Sequence, residues 1–315
     1  MRPGLNPKIS KLKSDGSVSV DQGFIAHFQV SATAAVAADG DGVLAGTNLG
    51  AAVQAITTGI TNPAVPRALS IDGNVSGITG NIKITGTNYA DEVIDETIAL
   101  NGTTAVDGAK AFKTITKIDL PVQVHTPVLQ VETATAAGTV TTAGNAAVTV
   151  TSALFEEDVV VDVPVVLDDD ANDIALAIRT ALAADADIAE HFTVSGATSA
   201  VILTAKVPAA NDATLNIAID DGTGDGASAG VTTAAASANT TAGVPYDIVT
   251  VGWNDKLGLP YMLAHNTVIP GMTYLDNTVE STDPTVPTDA DEIEKNTIDL
   301  NSALDGTQVD AYLIV

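Results

Sequence analysis

The stretch RALSIDGNVSGITGNIKITGTNYADEVIDETIALNGTTAVDGAKAFKTITKIDLP, residues 67–121, reads as a run of short strands broken by Gly and Asn turns. Ile82 and Ile84 alternate with polar neighbours, and Phe112, Ile115 and Ile118 continue an apolar face, the pattern of half-buried strands. NIKITGTN, EVIDETIALNG and KAFKTITKIDLP are each read as one strand, and the breaks fall at Gly-Thr-Asn, Asn-Gly and Asp-Gly, residues that accept a positive φ. The pattern reaches back to Ile56 without helical spacing. It predicts a mainly β architecture, a β-sandwich or barrel-like base, rather than a βαβ layout.

Working outward, residues 1–30 form an N-terminal arm and first strand. The arm holds Arg2, Lys8, Lys11 and Lys13, four of the thirteen basic residues, with Pro3 and Pro7. It reads either as a disordered tail or as an extended arm laid on a partner surface, with the four cations as the contact groups. FIAHFQVSA reads as a strand with Phe24 and Phe28 as core anchors, and ADGDG at 38–42 as a turn.

The composition shifts near residue 128. VETATAAGT and ASANTTAG resemble linkers, and between them lie the strands AAVTVTS, DVVVDVPVV, FTVSGATSAVILTAK and TLNIAID. A helix starts near Asn172, where Ile174, Ala177, Ile178, Ala181 and Leu182 make one apolar stripe. Asp168, Asp169, Asp170 and Asp173 gather at its start, where carboxylates cap free N–H groups and favour the helix dipole. After residue 243 the β pattern resumes and ends in VDAYLIV, a strand that must pair within a sheet. Residues 20–127 and 244–315 are therefore expected to build one β base domain, with 128–243 inserted as a small α+β module.

With 39 acidic residues against 13 basic and a formal charge of −26, the chain is unsuited to nucleic acid, which is bound through Lys and Arg. No apolar run approaches the roughly 20 residues that cross a bilayer, and MRPGLNPKISKLK lacks the apolar core of a secretory leader. Cysteine is absent, so there is no disulfide or thiol chemistry.

Candidate chemistry is sparse. DDGTGDG, residues 220–226, resembles the start of a calcium loop, with Asp221 and Asp225 as weak metal candidates. Its twelfth position is Thr232 rather than Glu, so a surface turn is the favoured reading. The Asp168–Asp170 run is read as helix capping, and Glu156, Glu157 and Asp158 as solvated. His27, His125, His191 and His265 show no ligand spacing. There is no nucleophile elbow or phosphate loop, so neither a catalytic residue nor a cofactor is expected, and the chain is read as no enzyme. GWNDKLGLPYMLAHN, residues 252–266, gathers Trp253, Leu257, Leu259, Tyr261, Met262 and Leu263 and is read as core rather than as a docking patch.

ITNPAVPRALSIDGNVSGITGNIKITGTN, DETIALNG, KAFKTITKIDLP, DKLGLPYMLAHNT and NTIDLNSALDGTQVDAYLIV together resemble structural proteins of tailed bacteriophages. The GNAAVTVTSALF to AANDATLNIAIDDGTG stretch resembles modules of phage virion proteins. Within that class the chain is most similar to a capsid decoration, or cement, protein. The resemblance implies a homotrimer on the capsid exterior, bound to the major capsid protein after synthesis in the host cytoplasm. A tail tube, tail-tip or fibre protein is the alternative, and a surface-displayed carbohydrate-binding module a second one.

Overall fold

The computed structural model describes residues 8–12, 18–22, 25–233, 236–260, 267–275, 278–279, 284–287, 289 and 291–314. The architecture is mainly β, in several sheets. The chain divides into two compact units, one from Met1–Val124 with Asp247–Val315 and the other from His125–Tyr246.

In the first unit, strand Arg67–Gly73 pairs antiparallel with Val106–Phe112 and with Ile248–Gly258, and the latter also carries Asp39–Asn48 and Thr297–Ile298. A second sheet runs Gln54–Ile56, Thr114–Leu120, Asn81–Thr87, Val93–Ala99. Leu69, Ile71, Val249 and Val251 share one core with Ile82, Ile84, Ile118 and Leu120 of the second sheet. A third sheet pairs Val309–Ile314 with Ile25–Val30 and Thr267–Leu275, and its core includes Phe28, Val30, Leu257 and Leu313. Phe24, Tyr261, Met262, Leu263 and His265 lie outside the described residues.

Among the described residues of this unit, Arg67 is a cation held inside the fold. Arg67 is 1% exposed; its Nε donates to the Asn254 carbonyl at 2.8 Å, Nη1 to the Val36 carbonyl at 2.7 Å and Nη2 to Asp255 Oδ1 at 3.3 Å. Burial pulls the guanidinium down to about 10 against the pull of Asp255, so it stays charged at neutral pH. The fork thereby ties three sequence-distant segments together with charge-assisted bonds.

Several sequence expectations need correction. ADGDG is not a turn but the start of strand Asp39–Asn48. Gly42 answers a packing demand, since a Cβ there would sit 2.6 Å from the Trp253 ring, and on the partner strand a Cβ on Gly252 would sit 1.9 Å from the Asp39 carbonyl oxygen. KAFKTITKIDLP is two strands, parted at Lys113, and a register shift between Ile115 and Lys117 lets Ile115 and Ile118 both face inward despite their odd spacing. Gly86 and Gly108 lie within strands rather than at their ends. Residues 8–12 and 18–22 pair as an antiparallel ribbon rather than running as one extended arm.

In the second unit, the linker-like VETATAAGT is part of the longest strand, Val131–Thr142. Glu132, Ala134 and Ala136 alternate inward, so burial here is achieved with small side chains. Residues 131–135 pair with Ala200–Ala205, which continues to Phe192–Ser195; Ala229–Thr233 and Ala238–Thr241, the other supposed linker, pair with the same long strand. A second sheet places Gly144–Thr151 between Val159–Val165 and Asn216–Asp220. Helix α1, Ala171–Ala184, buries Ile174, Ala175, Ile178 and Leu182 in the core, with Ala177 and Ala181 packed at its margin. Asp170 caps it, accepting from the Asn172 and Asp173 amides while Asp173 reaches back to the Asp170 amide. A short helix α2, Ala186–His191, follows, capped by Asp185.

Replacing Arg67 with Met should cost the first unit about 3 kcal/mol, because three acceptors lose their donor inside the fold. Urea unfolding followed at Trp253 measures this.

Candidate functional site

A polar seam at one end of the second unit positions the loop 206–215. Gln130, 5% exposed, donates through Nε2 to the Asp212 carbonyl at 2.8 Å and accepts the Asp212 amide at 2.7 Å, which pins residues 82 apart in sequence. Asp212 Oδ1 accepts from the Thr214 amide and hydroxyl, and Oδ2 from Ser152 Oγ and the Ala153 amide, at 2.6–2.9 Å. Burial alone would raise its pKa, but these hydrogen bonds outweigh burial and hold the carboxyl below its ordinary range. Both oxygens are saturated with donors. Asp212 is thus a fixed anchor, with no lone pair left for a reacting proton or a metal.

Over this anchor the loop 206–215, the turn after Gly144–Thr151 and the end of α2 enclose an apolar cleft of about 520 Å³. Its walls include Leu154, Phe192, Val207, Leu215 and a run of alanines, with Gln130, Glu190, His191, Lys206, Asn211 and Asp212 as polar points. Leu154 is 51% and Val207 65% exposed, although both are large aliphatic side chains. Lys206 is held at the rim by donating Nζ to the Ala189 carbonyl. A second hollow of about 570 Å³ shares Leu154 and His191 with the first and is lined by Glu156, Glu157, Asp158, Asp185 and Asp187. Phe155 lines the second hollow, its ring 5.9 Å from His191 and 6.0 Å from Phe192. The pair of hollows offers contact area and negative charge, which suits binding.

The residues singled out from sequence are dispersed. Arg2 and Lys13 lie outside the described residues, whereas Lys8 and Lys11 stand on the N-terminal ribbon opposite Gln22 and Ser19. Asp221 and Asp225 occupy the loop before Ala229–Thr233, where Gly222, Gly224 and Gly226 take positive φ and Ser228 Oγ donates to the Asp221 carbonyl. Among the described residues no three His, Asp or Glu side chains converge to hold a metal ion. His27 lies on strand Ile25–Val30, 2.7 Å from Asp310 and stacked on Tyr312, while His191 ends α2. The clefts escaped the sequence reading, and the signal for them was the unpatterned apolar run around Val207 in a loop.

Glu132 also went unread. It is 2% exposed on the inward face of Val131–Thr142, and its Oε2 has no hydrogen-bond partner. The neighbouring Ser237 hydroxyl already accepts the Ile217 amide and meets Asn216 Oδ1 at 2.6 Å. Burial, with Asp212 adding to it, raises the Glu132 pKa against the opposing effect of Ser237.

No protein-family model matches the chain, and no curated protein matches it. Among solved structures, the D1-D2-D3 domains of the flagellar cap protein FliD from Escherichia coli align at 12% identity and a TM-score of 0.26, covering 83% of this chain and 58% of that one. The D2-D3 domains of the same protein align at 12% identity and a TM-score of 0.24, covering 84% and 100%. At these scores the likeness establishes neither a shared fold nor a shared role.

The raised pKa of Glu132 sets the direction of a pH effect. The folded unit holds this proton more tightly than the unfolded chain does. Its contribution to stability is therefore complete below the ordinary value of 4.5 and lost as pH rises through the folded value. Glu132→Gln should leave the melting temperature unchanged near pH 4 and raise it near pH 7, as measured by calorimetry at the two pH values.

Proposed function

We propose that the chain is a non-enzymatic virion structural protein that binds the outer surface of a phage capsid and stabilises it. The observation that carries this reading is the division of charge along one chain. Four cations cluster in residues 1–13, whereas between residues 128 and 243 only Arg179 and Lys206 oppose more than a dozen carboxylates. A basic segment at one place and an acidic module at another suit a protein that grips a surface with one part and presents the other to solvent.

The architecture supports the same reading. Strand Ile25–Val30 pairs along its whole length with Val309–Ile314, so the N-terminal segment grows directly from a sheet of the first unit. The resemblance of both chain segments of that unit to tailed-phage structural proteins supports a virion role. In this proposal the first unit and its basic segment contact the major capsid protein, three copies act together, and the second unit projects. Each contact is modest, and trimeric engagement multiplies affinity by about 10² to 10⁴.

Cosedimentation with undecorated heads tests the proposal: saturable binding is expected. Absence of binding together with self-assembly into hollow rods would assign the chain to a tail tube instead. Removing residues 1–13 should weaken head binding by about tenfold or more while leaving the melting temperature unchanged. Equal decoration by the truncated chain would remove the arm from the mechanism.

A further inference from the structure

We infer that the two joined clefts of the second unit form a docking site for an extended peptide segment of a partner, one that carries an aliphatic or aromatic side chain beside a Lys or Arg. This assignment is independent of what the first unit binds.

The apolar hollow of about 520 Å³ is within the size range in which pockets enclose a side chain or small ligand. Its mouth is flanked by Leu154 and Val207, 51% and 65% exposed, so water contacts aliphatic surface that an apolar occupant would cover. The floor is rigid: Gln130 and Asp212 lock the loop to the sheet with two hydrogen bonds of 2.8 and 2.7 Å. A site prepared in this way loses little entropy on binding.

Charge selects the occupant. The adjoining hollow presents Glu156, Glu157, Asp158, Asp185 and Asp187. Asp185 is committed to capping α2, accepting from the Asp187 and Ile188 amides. Glu156, Glu157 and Asp158 are exposed, and among the described residues none of them pairs with a cation. This end repels fatty-acid carboxylates, nucleotides and acidic peptides, and it attracts ammonium and guanidinium groups. The shared border at Leu154 and His191 puts the two chemistries side by side, which a short segment alternating apolar and basic residues satisfies in one extended pass.

Fluorescence polarisation with the full chain and the labelled peptide Lys-Leu-Arg-Phe-Lys provides the test. Saturable binding is expected, weakened roughly tenfold by Val207→Glu and, separately, by Glu157→Lys. Both positions are exposed, and circular dichroism confirms that each variant is folded. The peptide Lys-Ser-Arg-Ser-Lys should bind the unaltered chain more weakly by a similar factor. If Glu157→Lys weakens binding while Val207→Glu and the serine peptide do not, the attraction is charge alone and the docking site is overturned. Absence of peptide binding overturns it as well, and uptake of the neutral fluorophore N-phenyl-1-naphthylamine in that case would assign the cleft to small apolar molecules.

Discussion

The antiparallel pairing of Arg67–Gly73 with Ile248–Gly258 is the constraint on which the first unit depends. These strands are far apart in sequence, so their pairing carries a large loop-closure cost that local contacts cannot offset. Two features compensate. Leu69, Ile71, Val249 and Val251 are fully buried against the second sheet, and the Arg67 fork binds Asn254, Asp255 and Val36 across the pairing. A buried guanidinium is costly to desolvate, yet here each of its three nitrogens has an acceptor, which favours one register over its neighbours.

That pairing also explains how the second unit is accommodated. It leaves the first unit after Val124 and returns at Asp247, where the Val124 amide donates to Asp247 Oδ2 at 2.6 Å. Within the second unit Val128 and Val244 exchange backbone hydrogen bonds, so its ends lie side by side. No sheet of the first unit has to stretch to admit the intervening residues. The small apolar side chains of the second unit then form a core of their own, with α1 closing one face of it.

Legibility in the sequence followed side-chain size and distance. Strands with alternating Ile or Val, such as Asn81–Thr87 and Gly144–Thr151, and the α1 stripe were readable because periodicity is local. VETATAAGT was not, because alanine and threonine carry little hydrophobic contrast, and a strand made of them looks like a linker. ADGDG misled because Gly42 serves a contact with Trp253, more than 200 residues away, and single-sequence turn rules register only the immediate neighbours. The apolar cleft was invisible for the same reason: it forms where Gln130 meets Asp212. Glu132 defied the ordinary expectation that a glutamate seeks water.

Consider finally the emergence of the chain from a ribosome. Every strand of the second unit pairs within His125–Tyr246, so that unit can complete its sheets once its last residue is free. Arg67–Gly73, by contrast, must wait for Ile248–Gly258, which at about 5–20 residues per second is a delay of roughly 10 to 35 seconds. Through most of that interval Arg67–Gly73 keeps one edge unpaired, while the strongly acidic second unit is itself emerging. Its negative charge keeps nascent chains of one polysome apart at the moment when exposed strand edges would otherwise join.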